Sequence, residues 1–315
     1  MNTINIALVQ QCMQANPQTN LEVSLAQVQE AAHEGADLVV LCELHTSLYF
    51  CQEKSARHFR LAQEIPGPLT RQLSLAARKN HVVIVGSVFE KRARRIYHNT
   101  AVVMERDGSL AGTYRKMHIP DGPGYFEKYY FAAGDTGFVP IPTSIGKLGV
   151  MVCWDQWFPE AARLMALGGA EVLIFPTAIG WDPEDDDEEK QRQIRAWQII
   201  QQSHAISNNL PVVCTNRAGH EKDLSGTTLG IDFWGHSFVT DAFGKITIQG
   251  PADVAETLHA SIDLDETKRC RQVWPYLQDR RIDAYGDISK GSADVLRDPT
   301  PAPALPSRES RKTRR

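Results

Sequence analysis

Three segments of the chain place a chemically useful side chain directly after an apolar run. In LVVLCELH, Glu43 follows the run Leu38 to Cys42 and stands where a β-strand would hand over to a loop. Active sites of α/β folds gather at such strand ends, and burial there raises a carboxyl pKa towards that of a usable general base. In YRKMHIPDGPGYFEKYYF, Lys116 follows the extended stretch Ala111 to Tyr114. The prolines and glycines of IPDGPGY stiffen the next loop and let backbone approach closely. Tyr125, Phe126, Tyr129, Tyr130 and Phe131 then surround Glu127, so an acid is set among rings that can wall a small pocket. In KLGVMVCWDQWFPE, Cys153 ends an apolar strand ahead of a helix expected from Pro159. A thiol at a helix N-terminus meets partial positive charge, which favours the thiolate and suits a covalent nucleophile.

Together these residues describe a hydrolase. Glu43 takes the thiol proton, and Cys153 attacks an amide-like carbonyl. The Lys116 ammonium and the backbone N–H of Trp154 stabilise the oxyanion. Glu43 then returns the proton to the departing nitrogen and later activates water. Other chemistries lack their residues. The sequence has no GxSxG elbow, no GxxxxGK[ST] phosphate loop and no HExxH. Its ten histidines show no i, i+4 pairing, and its six cysteines show no CxxC spacing. We therefore expect neither metal nor cofactor. Cys12, Cys42, Cys51, Cys214 and Cys270 read as structural cysteines.

The elements that must position these groups alternate along the chain. Ile4 to Val9 reads as a buried strand, and Leu21, Leu25, Val28 and Ala32 recur at helical spacing up to Gly35. Strands are expected over Asp37 to Leu41, His81 to Val88, Thr100 to Met104, Leu148 to Val152, Val172 to Phe175 and Val212 to Thr215. Helices are expected over Leu69 to Lys79 and from Pro159 to about Leu167, where Gly168–Gly169 stops the second. His236 to Thr240 and Ile246 to Ile248 flank a turn and predict a hairpin. This alternation argues α/β, without separating a doubly wound sheet from a sandwich of two sheets.

The charge is nearly balanced, with 34 Lys plus Arg against 38 Asp plus Glu, so no basic field invites nucleic acid. Seven of the acids crowd into Asp182 to Glu189. No apolar run approaches the about 20 residues of a membrane span. MNTINIALVQQ lacks the features of a secretory signal, so a cytoplasmic protein with reduced thiols is expected. Residues 1–285 read as one domain. Residues 286–315 form a Pro-rich, basic extension, expected to be disordered from about residue 298.

The chain resembles the nitrilase superfamily through Glu43 in LCELH, Lys116 in YRKMHIPDGPGY and Cys153 in GVMVCWDQWFPE. The order and spacing match from about Ile4 to about Tyr285. The resemblance implies a four-layer α-β-β-α sandwich, a Glu–Lys–Cys triad, no cofactor and a homo-oligomer. It gives Glu127 the role of a second glutamate that orients substrate and water. HIPDGPGY, FEKYYF, CWDQWFPEAAR, FPTAIG and TNRAG further resemble the N-carbamoylputrescine amidohydrolase branch. That branch implies a small carbamoylated amine as partner, hydrolysed to putrescine, carbon dioxide and ammonia. It also implies that Asp182, directly before Pro183, meets the distal ammonium of the substrate. Tyr49 and Trp154 are expected as its apolar or aromatic walls.

Other members of the superfamily are distinguishable. Hydrolases of N-carbamoyl amino acids carry an arginine shortly after the cysteine, because guanidinium binds carboxylate bidentately. Here Asp155, Gln156 and Trp157 occupy those positions. True nitrilases typically read CWE, and this chain reads CWD. A catalytically silent member would have lost a triad residue, and none is lost.

Overall fold

The structure is a computed structural model and describes residues 3–289. The first half runs β1 (Thr3–Gln10), α1 (Pro17–His33), β2 (Leu38–Leu41), α2 (Pro68–Asn80), β3 (Val83–Ala93), β4 (Ile96–Met104) and β5 (Leu110–Arg115). The second half runs β6 (Ile141–Thr143), β7 (Gly146–Val150), α3 (Pro159–Leu167), β8 (Val172–Thr177), β9 (Gly180–Trp181), α4 (Asp187–Asn208), β10 (Val212–Asn216), β11 (Ala218–Glu221), β12 (Ile231–Trp234), β13 (Phe238–Thr240), β14 (Ile246–Gln249), β15 (Glu256–Asp263) and α5 (Leu264–Val273). One six-stranded sheet has the order β15-β1-β2-β3-β4-β5. The other has β14-β13-β10-β8-β7-β6, and β11-β12-β9 forms a small third sheet.

Strand periodicity sorts the side chains into layers. Ile4, Ile6 and Leu8 of β1 join Leu38, Val40, Val83 and Val85 in a core shared with Leu148, Val150 and Leu173 of the second sheet. Ala7, Val9, Val39 and Leu41 face the other way, onto Val28 and Ala31 of α1 and Leu69, Leu73 and Ala77 of α2. Ala161, Met165, Trp197 and Ala205 of α3 and α4 cover the second sheet. Each sheet is buried on both faces, which is why its central strands read as continuous apolar runs. The arrangement is the α-β-β-α sandwich, which resolves the ambiguity that local pattern left open.

Strand direction then brings the chemistry to one edge. β2 pairs parallel to β3, and the antiparallel steps β3–β4 and β4–β5 restore that direction. Glu43 and Lys116, each just beyond a strand's carboxyl end, therefore emerge on the same side of the first sheet. β7, β8 and β10 are mutually parallel, so the segments at Cys153, Ala178 and Arg217 share one edge of the second sheet. The Glu43 N–H donates to the Thr177 carbonyl at 3.4 Å and ties the two edges together.

The strand expected to run to Val152 stops at Val150, and Cys153 instead opens a five-residue 3-10 turn, Cys153–Trp157. The sequence pattern assigned no element to the acidic run Asp182 to Glu189. Its second half caps and opens α4, the longest helix among the described residues. Asp186 caps the Glu189 N–H at 2.9 Å, and Asp187, Glu188 and Glu189 fill the first turn, where the helix dipole favours negative charge.

The described residues up to Pro275 form one compact unit, and a second unit begins at Tyr276. Described residues of the second unit include the short turns Ile282–Ala284 and Gly286–Ser289. The tail expected to be disordered from about residue 298 lies outside the described residues. Among the described residues no helix is long and apolar enough to cross a membrane. No group of three or more His, Cys, Asp or Glu there could hold a metal ion.

Candidate active site

Lys116 is fully buried between two fully buried carboxylates. Its Nζ donates to Glu43 Oε1 at 2.8 Å and to both oxygens of Glu127, each at 2.8 Å. Asn99 of β4 donates to Glu43 Oε1 at 2.6 Å, and the Tyr49 hydroxyl donates to Glu127 Oε1 at 2.6 Å. Three of the four carboxylate oxygens are therefore engaged. Glu43 Oε2 is buried with no hydrogen-bond partner in the protein. A buried acceptor left unpaired costs about 1–3 kcal/mol, so this oxygen stands out among the four.

Burial of isolated charges here would be prohibitive, and the groups compensate one another. Burial acts against the Lys116 ammonium, yet Glu127 and Glu43 outweigh it and hold its pKa well above the ordinary lysine value. Burial pushes Glu127 up to about 7, against the pull of Lys116. Burial and then the neighbouring Glu43 push the Cys153 thiol well above its ordinary value, with Lys116 pulling the other way. This corrects the expectation of a dipole-favoured thiolate. Cys153 lies in a short 3-10 turn ahead of α3, among carboxylates that oppose a negative charge on sulfur.

The turn that presents Cys153 is tightly held. Cys153 has φ +44°, a left-handed conformation that costs a non-glycine residue about 1–3 kcal/mol and persists only where surroundings fix it. Asp155, fully buried, does much of the fixing. Its Oδ2 accepts from the Val152 N–H at 3.0 Å and the Tyr114 hydroxyl at 2.8 Å. Its Oδ1 accepts from the His118 N–H at 2.9 Å and lies 2.7 Å from His118 Nδ1. Gln156 anchors the same turn to α4 by accepting from Trp197 Nε1 at 2.9 Å and Gln201 Nε2 at 2.7 Å.

A cavity of about 240 Å³ opens beside Cys153. Pro120, Tyr125, Trp154, Trp157, Ile179 and Trp234 make most of its wall apolar, and Arg192 and Gln193 of α4 close one part. Tyr125 pins the wall, since its hydroxyl accepts from the Gly180 N–H at 3.1 Å. Trp154 lies on this wall, as the sequence suggested. Tyr49 does not, because its phenol turns inward to Glu127 and the residue is almost wholly buried. Asp182 is also off the wall. It is exposed, and its carboxylate accepts from the Glu184 N–H two residues ahead. Gln193 carries the acidic run to the cavity indirectly, bonding Asp185 at 3.0 Å and Glu189 at 2.7 Å.

Sequence reasoning gave no part to Asn99, Arg192 or Arg217. Asn99 and Arg192 carry no local signal, since their partners are remote or belong to an unanticipated helix. Arg217 stands in the TNRAG segment, which marked it without indicating a contact. Arg217 is fully buried and reaches the backbone carbonyls of Glu43 at 2.8 Å and Leu44 at 3.2 Å.

Comparison with known proteins agrees with this geometry. Residues 5–272 match the carbon-nitrogen hydrolase family. A citrullinase of Francisella tularensis is 39% identical over 291 residues, covering 91% of this chain and 99% of the relative. The N-carbamoylputrescine amidase of Solanum lycopersicum is 40% identical over 286 residues, covering 90% of this chain and 93% of the relative. The crystal structure of a carbon-nitrogen hydrolase from Helicobacter pylori G27 is 49% identical and superimposes with a TM-score of 0.88, over 91% of this chain and 98% of that one. By sequence, fold and the company its buried polar residues keep, this chain belongs to the carbon-nitrogen hydrolase family of the nitrilase superfamily.

Proposed function

We propose that the chain hydrolyses the ureido group of N-carbamoylputrescine, with Cys153 as nucleophile. The observation that carries the chemistry is the unpartnered Glu43 Oε2 in a site where every other carboxylate oxygen is engaged. Glu43 removes the thiol proton as sulfur attacks the ureido carbonyl. The Lys116 ammonium and the Trp154 N–H stabilise the tetrahedral oxyanion. The C–N bond to the alkylamine breaks, and the departing nitrogen takes the proton from Glu43. Glu43 then deprotonates a water held with Glu127, which attacks the carbamoyl group on sulfur. Carbamic acid leaves and falls apart to carbon dioxide and ammonia, and the thiol regains its proton.

The largely apolar cavity suits a polymethylene chain, and several relatives bear the name N-carbamoylputrescine amidase. The distal ammonium remains charged near neutral pH, since alkyl amines resemble Lys with pKa about 10.4. Its proposed acceptors are the carboxylates around the start of α4. Asp182 is the sequence candidate, and Asp185 and Glu189 reach the wall through Gln193.

One observation favours a second reading. Arg192 stands on the cavity wall, held by Glu189 through paired contacts of 2.7 and 2.6 Å. Citrulline is the same carbamoylated chain with a carboxylate on the carbon that bears the distal amine. A guanidinium beside a carboxylate matches that zwitterion. Ammonia release from N-carbamoylputrescine, citrulline and butylurea decides. Highest kcat/KM on N-carbamoylputrescine supports the first reading, and highest on citrulline replaces it with the second. No ammonia from any ureido compound defeats both.

A further inference from the structure

Glu43 sits on a turn and Glu127 opens a short 3-10 turn, Glu127–Tyr129, yet one buried ion pair reaches the first directly and the second through Tyr49. Glu43 lies on a turn whose next residue, Leu44, has φ +48°. That turn points carbonyls into the interior, where water cannot satisfy them. Arg217 meets them. Its Nη2 donates to the carbonyls of Glu43 at 2.8 Å and Leu44 at 3.2 Å, and its Nη1 donates to that of Ser47 at 3.2 Å. The remaining grip is on Glu221, whose Oε1 accepts from Nη1 at 2.6 Å. Glu221 in turn uses Oε2 to accept the Tyr49 N–H at 2.6 Å, and the Tyr49 hydroxyl holds Glu127. The guanidinium also lies 5.1 Å from the Phe233 ring centre and 5.7 Å from that of Tyr49. Arg217, Glu221 and Tyr49 are all almost wholly shielded from solvent.

We propose that Arg217 and Glu221 act as one positioning unit, which aims the proton-accepting oxygen of Glu43 from behind and, through Tyr49, fixes the orientation of Glu127. Neither residue lines the cavity beside Cys153, so both act through others. The planar fork is what qualifies arginine. One side chain reaches three carbonyls and a carboxylate, which a lysine point charge cannot do at once. The inference rests on the reading of Glu43 as the base and not on the identity of the ureido substrate.

A buried pair of this kind allows a separation of stability from aim. Replacing one partner strands a charge, whereas replacing both by apolar residues of similar volume restores stability in known cases. Arg217→Met should lower Tm. The double variant Arg217→Met/Glu221→Met should regain much of that Tm while turnover stays low by on the order of 10²-fold, the penalty typical of a misplaced catalytic group. KM should change far less than kcat. Arg217→Lys, which keeps the charge and loses the fork, should be slow as well. The second readout is alkylation of Cys153 by iodoacetamide, followed by peptide mass. Sulfur displaces iodide, the thiol proton passes to Glu43, and no ureido substrate enters. Alkylation should slow in parallel with kcat. If the parent chain alkylates Cys153 quickly but hydrolyses no ureido compound, the substrate reading falls and the positioning test still runs. Recovery of alkylation and kcat together with Tm in the double variant would reduce the pair to a structural element. If the double variant does not fold, Tyr49→Phe decides by deleting only the hydroxyl on Glu127. A kcat about tenfold lower supports the linkage, and an unchanged kcat overturns it.

Discussion

In the first half of the sandwich the order β1–α1–β2–α2–β3–β4–β5 lays down parallel pairs and then two antiparallel strands. In the second half β7–α3–β8–α4–β10–β13–β14 does the same. The strand ends serve differently. The first half delivers the charged groups Glu43 and Lys116, with Asn99 in support, all fully buried. The second half delivers Cys153 and the largely apolar wall Ala178 to Gly180 beside an open cavity. Proton handling needs charges that neutralise one another away from water, and a nucleophile needs a way in. Setting two similar half-sandwiches face to face meets both needs at one seam.

The sharpest break of that comparison is at the proposed nucleophile. Cys153→Ala should cut ammonia release by roughly 10⁴-fold or more, as for residues that act as a unit, with Tm close to the parent. Substrate-protectable alkylation at another cysteine would place the nucleophile elsewhere. Next is the cation. Lys116→Met leaves Glu43 and Glu127 facing each other without compensation. We expect turnover to fall at least about 10²–10³-fold. Stability should drop by about 3–5 kcal/mol in denaturant titration, in contrast to Cys153→Ala. Equal stability of the two variants would mean that the charges are not held as a compensating set.

The pH dependence sharpens the role of Glu127. Its carboxyl is pushed up to about 7 by burial, and the proposed chemistry uses its ionised form. Activity should therefore rise through about pH 7, and be lost as the pH falls and the carboxyl is protonated. The groups facing it are Lys116, Glu43 and Tyr49. Removing the Tyr49 hydroxyl takes away a bond to the charged form, so Tyr49→Phe should move the acid limb to higher pH. A limb that stays put in kcat/KM assigns it to another group. Glu127→Gln should lose the limb along with most activity.

The smallest effect is expected at the cavity's far wall. Arg192→Gln should raise KM for citrulline by about tenfold or less and leave N-carbamoylputrescine little changed, since lost uniform binding appears in KM. Asp182→Asn, Asp185→Asn and Glu189→Gln, tested against butylurea as the uncharged control, assign the ammonium end. Equal losses on charged and uncharged substrates would remove all three from that role.

What the sequence determined was local. Apolar runs marked the central strands, because a sheet buried on both faces admits little else. The residue at the end of each run could be named, so Glu43, Lys116 and Cys153 were legible, as was the aromatic setting of Glu127. Period and capping residues located α1, α2 and α3, but the polar sequence of α4 hid the longest helix behind its acidic first turn. Tertiary structure alone decided which atoms meet. That Lys116 bridges two carboxylates, that Tyr49 serves Glu127 and not the cavity, and that Asp182 stays off the wall all depend on contacts far apart in sequence or on the rotation of one side chain. The same holds for the charge of Cys153. Strand-to-helix position suggested a favoured thiolate, whereas burial and the neighbouring Glu43 push the thiol pKa up, because desolvation and a nearby carboxylate act against the charged form. Arg217 shows the limit most clearly. Its own segment says only that an arginine follows a strand, and its purpose exists only once the carbonyls of Glu43, Leu44 and Ser47 have been folded around it.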